Sequence, residues 1–376
     1  MNFPKGALDG VRILDLTRVL GGPYCTQMLG DHGADVLKIE PPGGDETRAW
    51  GPPFQNGLSS YFLGVNRNKR SIVLDLTQSS GRDSLIDLLA DADILVENFK
   101  PGTLEKWGIG YADVLAGKFP RLIHCCVSGF GPDGPMGGLP GYDAAIQAAA
   151  GLMSINGEPR GEPTRIGAPI VDLVAGLNAA VGILLALQER ARSGRGQSID
   201  VSLYDCAISV LHPHVANYFY SGKVPHRVGN AHPNISPYDS YKTATEPIFL
   251  AVGNDGQFRK LTSLLGKPAL ADDPRFRTNP ERVQTADALK IELETLLAAH
   301  DASVLAEMLI RNGVPCGPVR TIDQVLAHPH TQHRGMVIEL DDYRGTGTPI
   351  KMSRSGARYR LKPPHLGENN GESWRT

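Results

Sequence analysis

The sequence predicts an α/β fold in which a large domain is built on a Rossmann-like parallel sheet. Short β-branched runs alternate with segments of helical period through the first half of the chain, which is typical of a parallel sheet with helices on its faces. The 376 residues exceed the usual length of one domain. A polar stretch with Pro and Gly at 222–237 then separates a second set of patterns, so we predict two domains.

The first half supplies the elements of the predicted sheet. Its strands are predicted at 11–16, 35–40, 71–76, 93–97 and 122–128, and its helices at 23–32, 81–92 and 103–115. The pattern is helical over 142–192, strand-like over 197–203 and helical again over 205–220. Ligands of such sheets bind beyond the carboxyl ends of the strands.

The domain boundaries follow from the same patterns. We predict a large domain over 1–221, a linker over 222–237 and a small α+β domain over 238–328. Strand-like pieces at 337–340 and 349–352 lie in the last segment, 329–376.

Composition argues against several classes of partner. The chain has 38 basic and 40 acidic residues with no block of like charge, which disfavours nucleic acid and anionic membranes. The five cysteines form no CxxC pair and no metal-like spacing, so we expect reduced cysteines and no metal site. We expect no apolar run that approaches the roughly 20 residues needed to cross a bilayer, and we expect a cytoplasmic protein.

The loop after the first strand lacks the usual nucleotide-binding signals. Residues 18–24 read RVLGGPY, without the spacing of a dinucleotide fingerprint, and the chain contains no Walker-type phosphate loop. The absence of both motifs disfavours a nicotinamide-dependent enzyme and a nucleoside triphosphatase. Fold class alone identifies no function.

Asp172 is the main candidate for a reactive group. It stands at the start of an apolar helical run over 173–187, after the low-bulk approach Gly167-Ala168-Pro169. A carboxylate there would be partly desolvated, yet favoured by the positive end of the helix. The alternative is an ordinary helix cap, because Asp is a favoured residue at that position.

Seven segments in order resemble the family III coenzyme A transferases. They are LDGVRILDL at 8–16, GADVLKIEP at 33–41, NRNKRSI at 66–72, VENFKPG at 96–102, SGFG at 128–131, GYD at 141–143 and the segment around Asp172. Within that family the chain looks closest to the group that moves CoA between succinate and glutarate or related diacids. The resemblance implies acyl-CoA and carboxylic acid substrates and no permanently bound cofactor.

The resemblance also implies a role for Asp172 as the nucleophile. Its carboxylate would attack the thioester to form a mixed anhydride, and CoA would then attack to leave an aspartyl-CoA thioester. Asp143 and Gly256 are further catalytic candidates by position. Gly256 belongs to the stretch 253–257, which corresponds to a loop over the active site in the family and could equally be a simple strand-to-helix turn.

Residues that contact CoA are likewise implied by the resemblance. These are Leu20, Gly21, Leu74, Asp75, Leu76, Thr77, Asn98, Phe99, Lys100, Lys106, Gly141 and Tyr142. Cations near the nucleotide would be Arg67, Lys69, Arg70, Lys100 and Lys106, each of which could instead be a solvated surface charge. For the remote carboxylate of a diacid, the candidates are Arg48, Arg165 and His232, each of which could instead be a surface residue.

Two departures from the family and two rival functions remain. Pro41 stands where oxalate-using members carry an arginine, and the run of glycines that those members have is absent at 253–256. A 2-methylacyl-CoA racemase of the same fold is disfavoured because Tyr142 replaces the expected histidine. A non-catalytic CoA-binding protein is the other alternative.

The resemblance further implies an interlocked homodimer. In each chain the small domain is inserted into the large domain, to which residues 329–376 return.

Overall fold

A six-stranded parallel sheet organises the first of two compact units in the computed structural model, which describes residues 6–374. This first unit comprises residues 6–152, Ile166–Tyr220 and 329–374. The strands up to residue 202 are β1 (Arg12–Asp15), β2 (Asp35–Glu40), β3 (Phe54–Gln55), β4 (Leu58–Ser59), β5 (Lys69–Val73), β6 (Ile94–Glu97), β7 (Ile123–Ser128) and β8 (Ser198–Ser202).

The strand order confirms the predicted Rossmann-like sheet. The order is β5-β2-β1-β6-β7-β8 and every pairing in it is parallel, while β3 and β4 form a separate hairpin. From β1 the chain moves outward through β2 to β5, and it then returns to the other side of β1 for β6. This reversal places a crevice beyond the carboxyl ends of β1 and β6, where open α/β sheets bind their ligands.

Helices connect these strands, and two of the predicted helices are interrupted. The helices are α1 (Gly21–Asp31), α2 (Ser60–Val65), α3 (Ser79–Leu89), α4 (Thr103–Lys106), α5 (Ala116–Lys118), α6 (Asp143–Ala149), α7 (Leu152–Ile155), α8 (Ile170–Ser193), α9 (Leu203–Ser209) and α10 (His214–Ser221). The helix predicted over 103–115 ends at Lys106, because Gly108 has a positive φ, and a π-helical turn follows at Tyr111–Leu115. Pro213 divides the helix predicted over 205–220 into α9 and α10.

Apolar side chains cover both faces of the sheet. Ile13 and Leu14 are both fully buried, and they belong to two different hydrophobic clusters because successive strand residues point to opposite faces. The cluster around Ile13 includes residues of α1 and α8, whereas the cluster around Leu14 includes Leu85 of α3. This two-sided burial explains the nearly continuous apolar runs of the strands.

Helix α8 differs from the mostly buried helix that its sequence predicts. Its inner stripe, which includes Ala175, Ala179 and Ile183, is fully buried. An outer apolar stripe is exposed in the single chain: Leu177, Val181, Leu184 and Leu185, spaced along one face of the helix. By length and composition alone α8 also meets the criteria of a membrane span, as packed core helices often do, so the expectation that no run is long enough was wrong.

Two glycines let α1 and α8 approach closely. A Cβ on Gly176 would lie 2.5 Å from the backbone oxygen of Gly21, and a Cβ on Gly21 would lie 3.1 Å from the backbone oxygen of Asp172. No larger residue fits at Gly176 without moving one helix, because a backbone carbonyl cannot give way as a flexible side chain can. The contact places the first turn of α1 beside the first turn of α8.

The second unit, residues 153–165 and 221–328, has its own core. A three-stranded antiparallel sheet, in the order β11 (Cys316–Pro318), β10 (Ile248–Ala251) and β9 (Tyr238–Tyr241), contributes Leu250 to this core, which also contains Phe258 and Leu289. The stretch 222–237, predicted as a linker, contains no helix or strand. The elements are β9 (Tyr238–Tyr241), β10 (Ile248–Ala251), β11 (Cys316–Pro318), α11 (Asp255–Leu264), α12 (Asn279–Gln284), α13 (Ala286–Leu297), α14 (Ala302–Arg311) and α15 (Ile322–Ala327).

The remaining C-terminal residues belong to the first unit. They form α16 (Pro329–His333) and an antiparallel hairpin of β12 (Val337–Leu340) and β13 (Tyr343–Thr346). The strand predicted over 349–352 was wrong: β13 follows the turn directly and takes the pairing with β12, and Pro349 has no N–H to donate. Further on, the Asn369 N–H donates to the Ser71 carbonyl at 2.9 Å, which ties the C-terminal segment to β5.

Candidate active site

Asp172 lies in the first turn of α8 and does not cap that helix. The N-cap is Pro169, which has no side-chain acceptor, and α8 begins at Ile170. Among the described residues, none donates a hydrogen bond to the Asp172 carboxylate. The alternative interpretation of Asp172 as an ordinary helix cap is therefore wrong.

Asp143, the first residue of α6, supplies the missing cap from outside α8. Its Oδ2 accepts hydrogen bonds from the backbone N–H of Val171 at 2.8 Å and of Asp172 at 3.2 Å. The Gln147 side-chain amide donates to Asp143 Oδ1 at 2.6 Å, and the Ile166 N–H donates to Gln147 Oε1 at 2.8 Å. These contacts satisfy the first helical N–H groups of α8 without using the Asp172 carboxylate.

The surroundings of Asp172 disfavour its ionised form. Burial, together with the nearby negative charge of Asp143, raises the pKa of Asp172 to about 7. The Asp172 carboxyl group is therefore poised near neutral pH, and it is a better nucleophile when ionised than an ordinary solvated carboxylate.

A pocket opens in front of Asp172 at the point where the sheet reverses its strand order. Its walls come from the loop after β1, the loop after β6 and the segment before α6. Predicted site residues that line it are Leu20, Gly21, Asn98, Phe99, Lys100, Gly141, Tyr142 and Asp172. Seven of the twelve residues implied as CoA contacts thus meet Asp172 at one crevice, although they are distant in sequence.

Arg18 and Tyr61 are two residues near Asp172 that the sequence interpretation missed. Arg18 lines the pocket with its guanidinium carbon 5.7 Å from the ring centre of Phe99, and its buried Nε has no partner among the described residues. Burial raises the pKa of Tyr61 to about 12, with a contribution from the charge of Asp172. The position of Arg18 in the loop after β1 is the sequence signal that could have placed it at the pocket, since a lone arginine is usually a surface charge.

The stretch 74–77 and Lys106 do not line this pocket. Leu74, Asp75, Leu76 and Thr77 follow β5, where the Asp75 carboxylate accepts hydrogen bonds from the Thr77 N–H at 3.0 Å and from its hydroxyl at 2.6 Å. Leu76 is buried in the core of the sheet. Lys106 is exposed at the end of α4. Residues 74–77 thus follow the end of a neighbouring strand and Lys106 lies on α4, and neither contributes to the lining of the pocket in front of Asp172.

Three predicted cations are instead buried in ion pairs. Arg67 makes two hydrogen bonds to the carboxylate of Asp31, and Arg70 makes two to that of Asp35. Lys69 pairs with Asp15 at 3.0 Å and is fully buried. Their guanidinium and ammonium groups hold α1 and the neighbouring strands together, so the expectation that they face the nucleotide was wrong.

Arg48 has a similar structural environment. Its guanidinium donates to both carboxylate oxygens of Glu40, at 2.8 and 2.7 Å, and lies 3.8 Å from the ring centre of Phe62. It also donates to the Pro364 carbonyl at 3.1 Å. With these partners Arg48 is not free to meet the carboxylate of a ligand.

The other three candidates, Gly256, Arg165 and His232, belong to the second unit. Gly256 lies in the first turn of α11, whose N-cap Asn254 accepts from the Gln257 N–H at 2.9 Å, so this stretch is a capped strand-to-helix turn. Arg165 is exposed, and His232 Nδ1 accepts from the Asn234 N–H at 3.0 Å. Within residues 6–374, no cluster of side chains has the composition of a metal site.

Comparisons with known proteins agree with this arrangement. The sequence profile described as CoA-transferase family III matches residues 8–370. The chain is 43% identical over 384 residues to a succinate–glutarate CoA-transferase of Agrobacterium fabrum, which covers 98% of this chain and 95% of the relative. It is 41% identical over 352 residues to an acetyl-CoA:oxalate CoA-transferase of Acetobacter aceti, with 93% and 90% covered.

A solved structure has the same fold. The crystal structure of a CAIB/BAIF family protein from Brucella suis superimposes with a TM-score of 0.87 at 43% sequence identity, and the match covers 97% of each chain.

Replacing Asp172 by Asn is predicted to stabilise the fold by an amount that grows with pH. Because the folded pKa lies above the ordinary value of 3.8, folding stability contributed by Asp172 falls as the pH rises from about 4 to about 7. The gain of Asp172→Asn over the original protein should approach at most about 4 kcal/mol above pH 7.

Urea unfolding at a series of pH values measures this difference. Asp301→Asn is the matched control, since Asp301 caps α14 with a hydrogen bond from the Val304 N–H and Asn caps equally well. A gain that is independent of pH for Asp172→Asn would show that Asp172 ionises normally in the folded protein.

Proposed function

The chain belongs to CoA-transferase family III, and on that premise we propose that it transfers CoA from succinyl-CoA to glutarate or a closely related dicarboxylate, with Asp172 as the covalent nucleophile. The observation that carries this proposal is the Asp172 carboxyl group. It is partly buried, accepts no hydrogen bond from the described residues and opens into the pocket at the sheet's reversal point. A carboxylate used only for structure would be paired or hydrogen-bonded.

In the first half of the reaction succinyl-CoA releases succinate, and CoA becomes bound to Asp172. The Asp172 carboxylate attacks the thioester carbonyl of succinyl-CoA, which gives a mixed anhydride and CoA thiolate. The thiolate then attacks the Asp172 carbonyl of the anhydride, which releases succinate and leaves an aspartyl-CoA thioester. No net proton transfer is needed, because a carboxylate enters and a carboxylate leaves.

In the second half the acceptor reverses these steps. A carboxylate of glutarate attacks the aspartyl thioester and displaces CoA thiolate, and a second mixed anhydride forms. The thiolate then attacks the glutaryl carbonyl, which gives glutaryl-CoA and restores the Asp172 carboxylate. Water must be kept from both intermediates, since either would hydrolyse.

The pocket supplies groups for the CoA moiety as well. Arg18 and Lys100 can pair with phosphates, and the Phe99 ring, which Arg18 approaches, is a flat apolar surface that suits adenine or the pantetheine chain. A racemase of this fold would carry a histidine base where this chain has Tyr142. No histidine lines the pocket in the part of the chain that the structure describes, which favours the transferase.

The choice of a dicarboxylate rests on relatives and on one departure. A relative that is named for succinate and glutarate is 43% identical, while one named for oxalate is 41% identical, so overall similarity separates them little. Pro41, in place of the arginine of oxalate-using members, favours the longer diacid. Of the two cations that line the pocket, Arg18 and Lys100, we assign Arg18 to a CoA phosphate or to the remote carboxylate of the diacid.

A homodimer is the second part of the proposal. The outer stripe of α8 exposes Leu177, Val181, Leu184 and Leu185, and the aromatic residues Tyr218, Phe219 and Tyr220 are exposed at the end of α10. Apolar surfaces of this kind are usually covered by another protein surface. A second copy of the chain, interlocked as the family resemblance implies, would cover them.

Asp172→Asn is expected to abolish CoA transfer while CoA binding is retained, because amides are poor nucleophiles and the first turn of α8 keeps its cap from Asp143. The original protein, incubated with succinyl-CoA and then hydroxylamine, should carry a hydroxamate on Asp172 that peptide mass spectrometry detects. Asp200→Asn is the control: burial and nearby acids also raise the pKa of Asp200, which does not line the pocket. Transfer by Asp172→Asn at more than a trace of the original rate would contradict the covalent mechanism.

The specificity constant for glutarate should exceed that for oxalate by at least about tenfold, a difference of about 1.4 kcal/mol in transition-state binding. A monocarboxylate of the same length as glutarate is the control for the remote carboxylate, and it should also be at least about tenfold poorer. Chromatography of the acyl-CoA products measures each rate. Faster transfer to oxalate would overturn the dicarboxylate assignment and leave the Asp172 chemistry intact.

Sedimentation velocity is expected to give a dimer at every concentration down to nanomolar, because interlocked chains cannot separate without unfolding. Leu185→Glu would place a charge in the covered stripe, and we expect it to lower the melting temperature of the dimer. Folded monomer in dilute samples of the original protein would exclude interlocking.

A further inference from the structure

Val19 has a backbone conformation that valine rarely adopts. Its φ is 70°, in the left-handed region, and a β-branched side chain is strained there. Val19 lies between Arg18 and Leu20 in the loop after β1, and all three line the pocket in front of Asp172. The surrounding structure must therefore hold this loop against the strain.

The side chain of Asn98, the residue directly after β6, binds this loop through two hydrogen bonds. Its Oδ1 accepts from the Arg18 N–H at 2.9 Å, and its Nδ2 donates to the Arg18 carbonyl at 2.7 Å. One amide thus pairs with both backbone groups of Arg18, as a neighbouring strand would. These two bonds determine the orientation of both peptide groups of Arg18, and the second of them leads directly into Val19.

The buried ion pair of Lys38 and Asp45 also binds backbone groups of this loop. Lys38 is fully buried, and its ammonium group donates to the Thr17 carbonyl at 2.7 Å and to Asp45 Oδ2 at 3.0 Å. Asp45 Oδ1 in turn accepts from the Val19 N–H at 3.4 Å. Backbone groups of Thr17, Arg18 and Val19 are therefore all bound by side chains from other parts of the sheet.

We propose that Asn98 is a positioning residue, which promotes acyl-CoA binding by holding Val19 in its left-handed conformation so that the Arg18–Gly21 wall of the pocket is formed before the ligand arrives. The inference rests on the proposed function, since it takes that wall to be the binding surface for acyl-CoA. The resemblance alone implies that Asn98 contacts CoA directly. Both amide atoms that could do so already bind the Arg18 backbone.

The strain at Val19 allows the two roles to be separated. Glycine adopts a φ of 70° without steric cost, so the loop of a Val19→Gly variant should keep its shape even when the hydrogen bonds of Asn98 are lost. If Asn98 acts only through the loop, Val19→Gly must therefore rescue Asn98→Ala. If Asn98 binds CoA itself, the rescue cannot occur.

Calorimetric titration with CoA tests this directly, because it needs no acceptor acid and no turnover. We expect Asn98→Ala to weaken CoA binding at least about tenfold relative to the original protein, and the CoA affinity of Val19→Gly is measured as the reference for the double variant. Relative to Val19→Gly, the double variant should lose affinity by about threefold or less. The control is Asp341→Gly, which relieves another left-handed residue, in the turn between β12 and β13, and should rescue nothing.

Turnover supplies the second readout. In Asn98→Ala, KM for succinyl-CoA should rise while kcat changes less than about threefold, since Asp172 and the Asp143 cap of its helix are unchanged. An unrescued tenfold loss in the double variant, or full-strength binding by Asn98→Ala, would overturn the proposal. If Asn98→Ala does not fold, Asn98→Ser takes its place, because its hydroxyl is too short to reach both Arg18 groups. Failure of the original protein to bind CoA would instead refute the proposed function.

Discussion

The carboxylate of Asp143 is the constraint on which the candidate active site depends. A helix that starts at Ile170 behind a proline has backbone N–H groups that need an acceptor, and Asp143 provides it from α6. Because that need is met from outside, the Asp172 carboxylate is left unbonded. The same negative charge raises the pKa of Asp172, so one side chain both builds the first helical turn and tunes the group on it.

A second constraint lies beneath the loop that faces Asp172. Burial alone would raise the pKa of Asp15, but the charges of Lys69 and Lys38 lower it to about 2. Lys69 remains a weakened base, since burial outweighs its partners and lowers its pKa to about 8. A buried charge network of this kind contributes little net stability, but it is costly to break at any single member and it holds the strand ends in one arrangement.

The sheet was predictable because each of its strands is a short apolar run with helical segments between them, and two-sided burial makes that signal strong. Helix boundaries were less predictable, because Gly108 and Pro213 interrupt predicted helices. The strand expected at 349–352 is absent because β12 pairs with β13 instead. Asp172 could be identified from its segment and the family resemblance. Its freedom from capping could not, because the cap comes from Asp143, which is distant in sequence and meets α8 only in the folded chain. The buried pairing of Arg67 and the free Nε of Arg18 likewise depend on tertiary contacts that residue type does not encode.

A mixed anhydride on Asp172 exchanges oxygen atoms between this carboxylate and the acid substrates, and isotope transfer measures the exchange most directly. Glutarate labelled with heavy oxygen in both carboxylates is incubated with succinyl-CoA and the protein, and the peptide that contains Asp172 is then weighed. The covalent mechanism predicts that Asp172 carries one labelled oxygen after a single turnover, because the bridging oxygen of the second anhydride stays on Asp172 when the thiolate attacks the glutaryl carbonyl. In each later turnover Asp172 gives one of its two oxygens to succinate and takes another from glutarate, so repeated turnover raises the label towards two oxygens. Formation of glutaryl-CoA with no label in Asp172 would contradict it, since CoA would then have moved without an aspartyl anhydride.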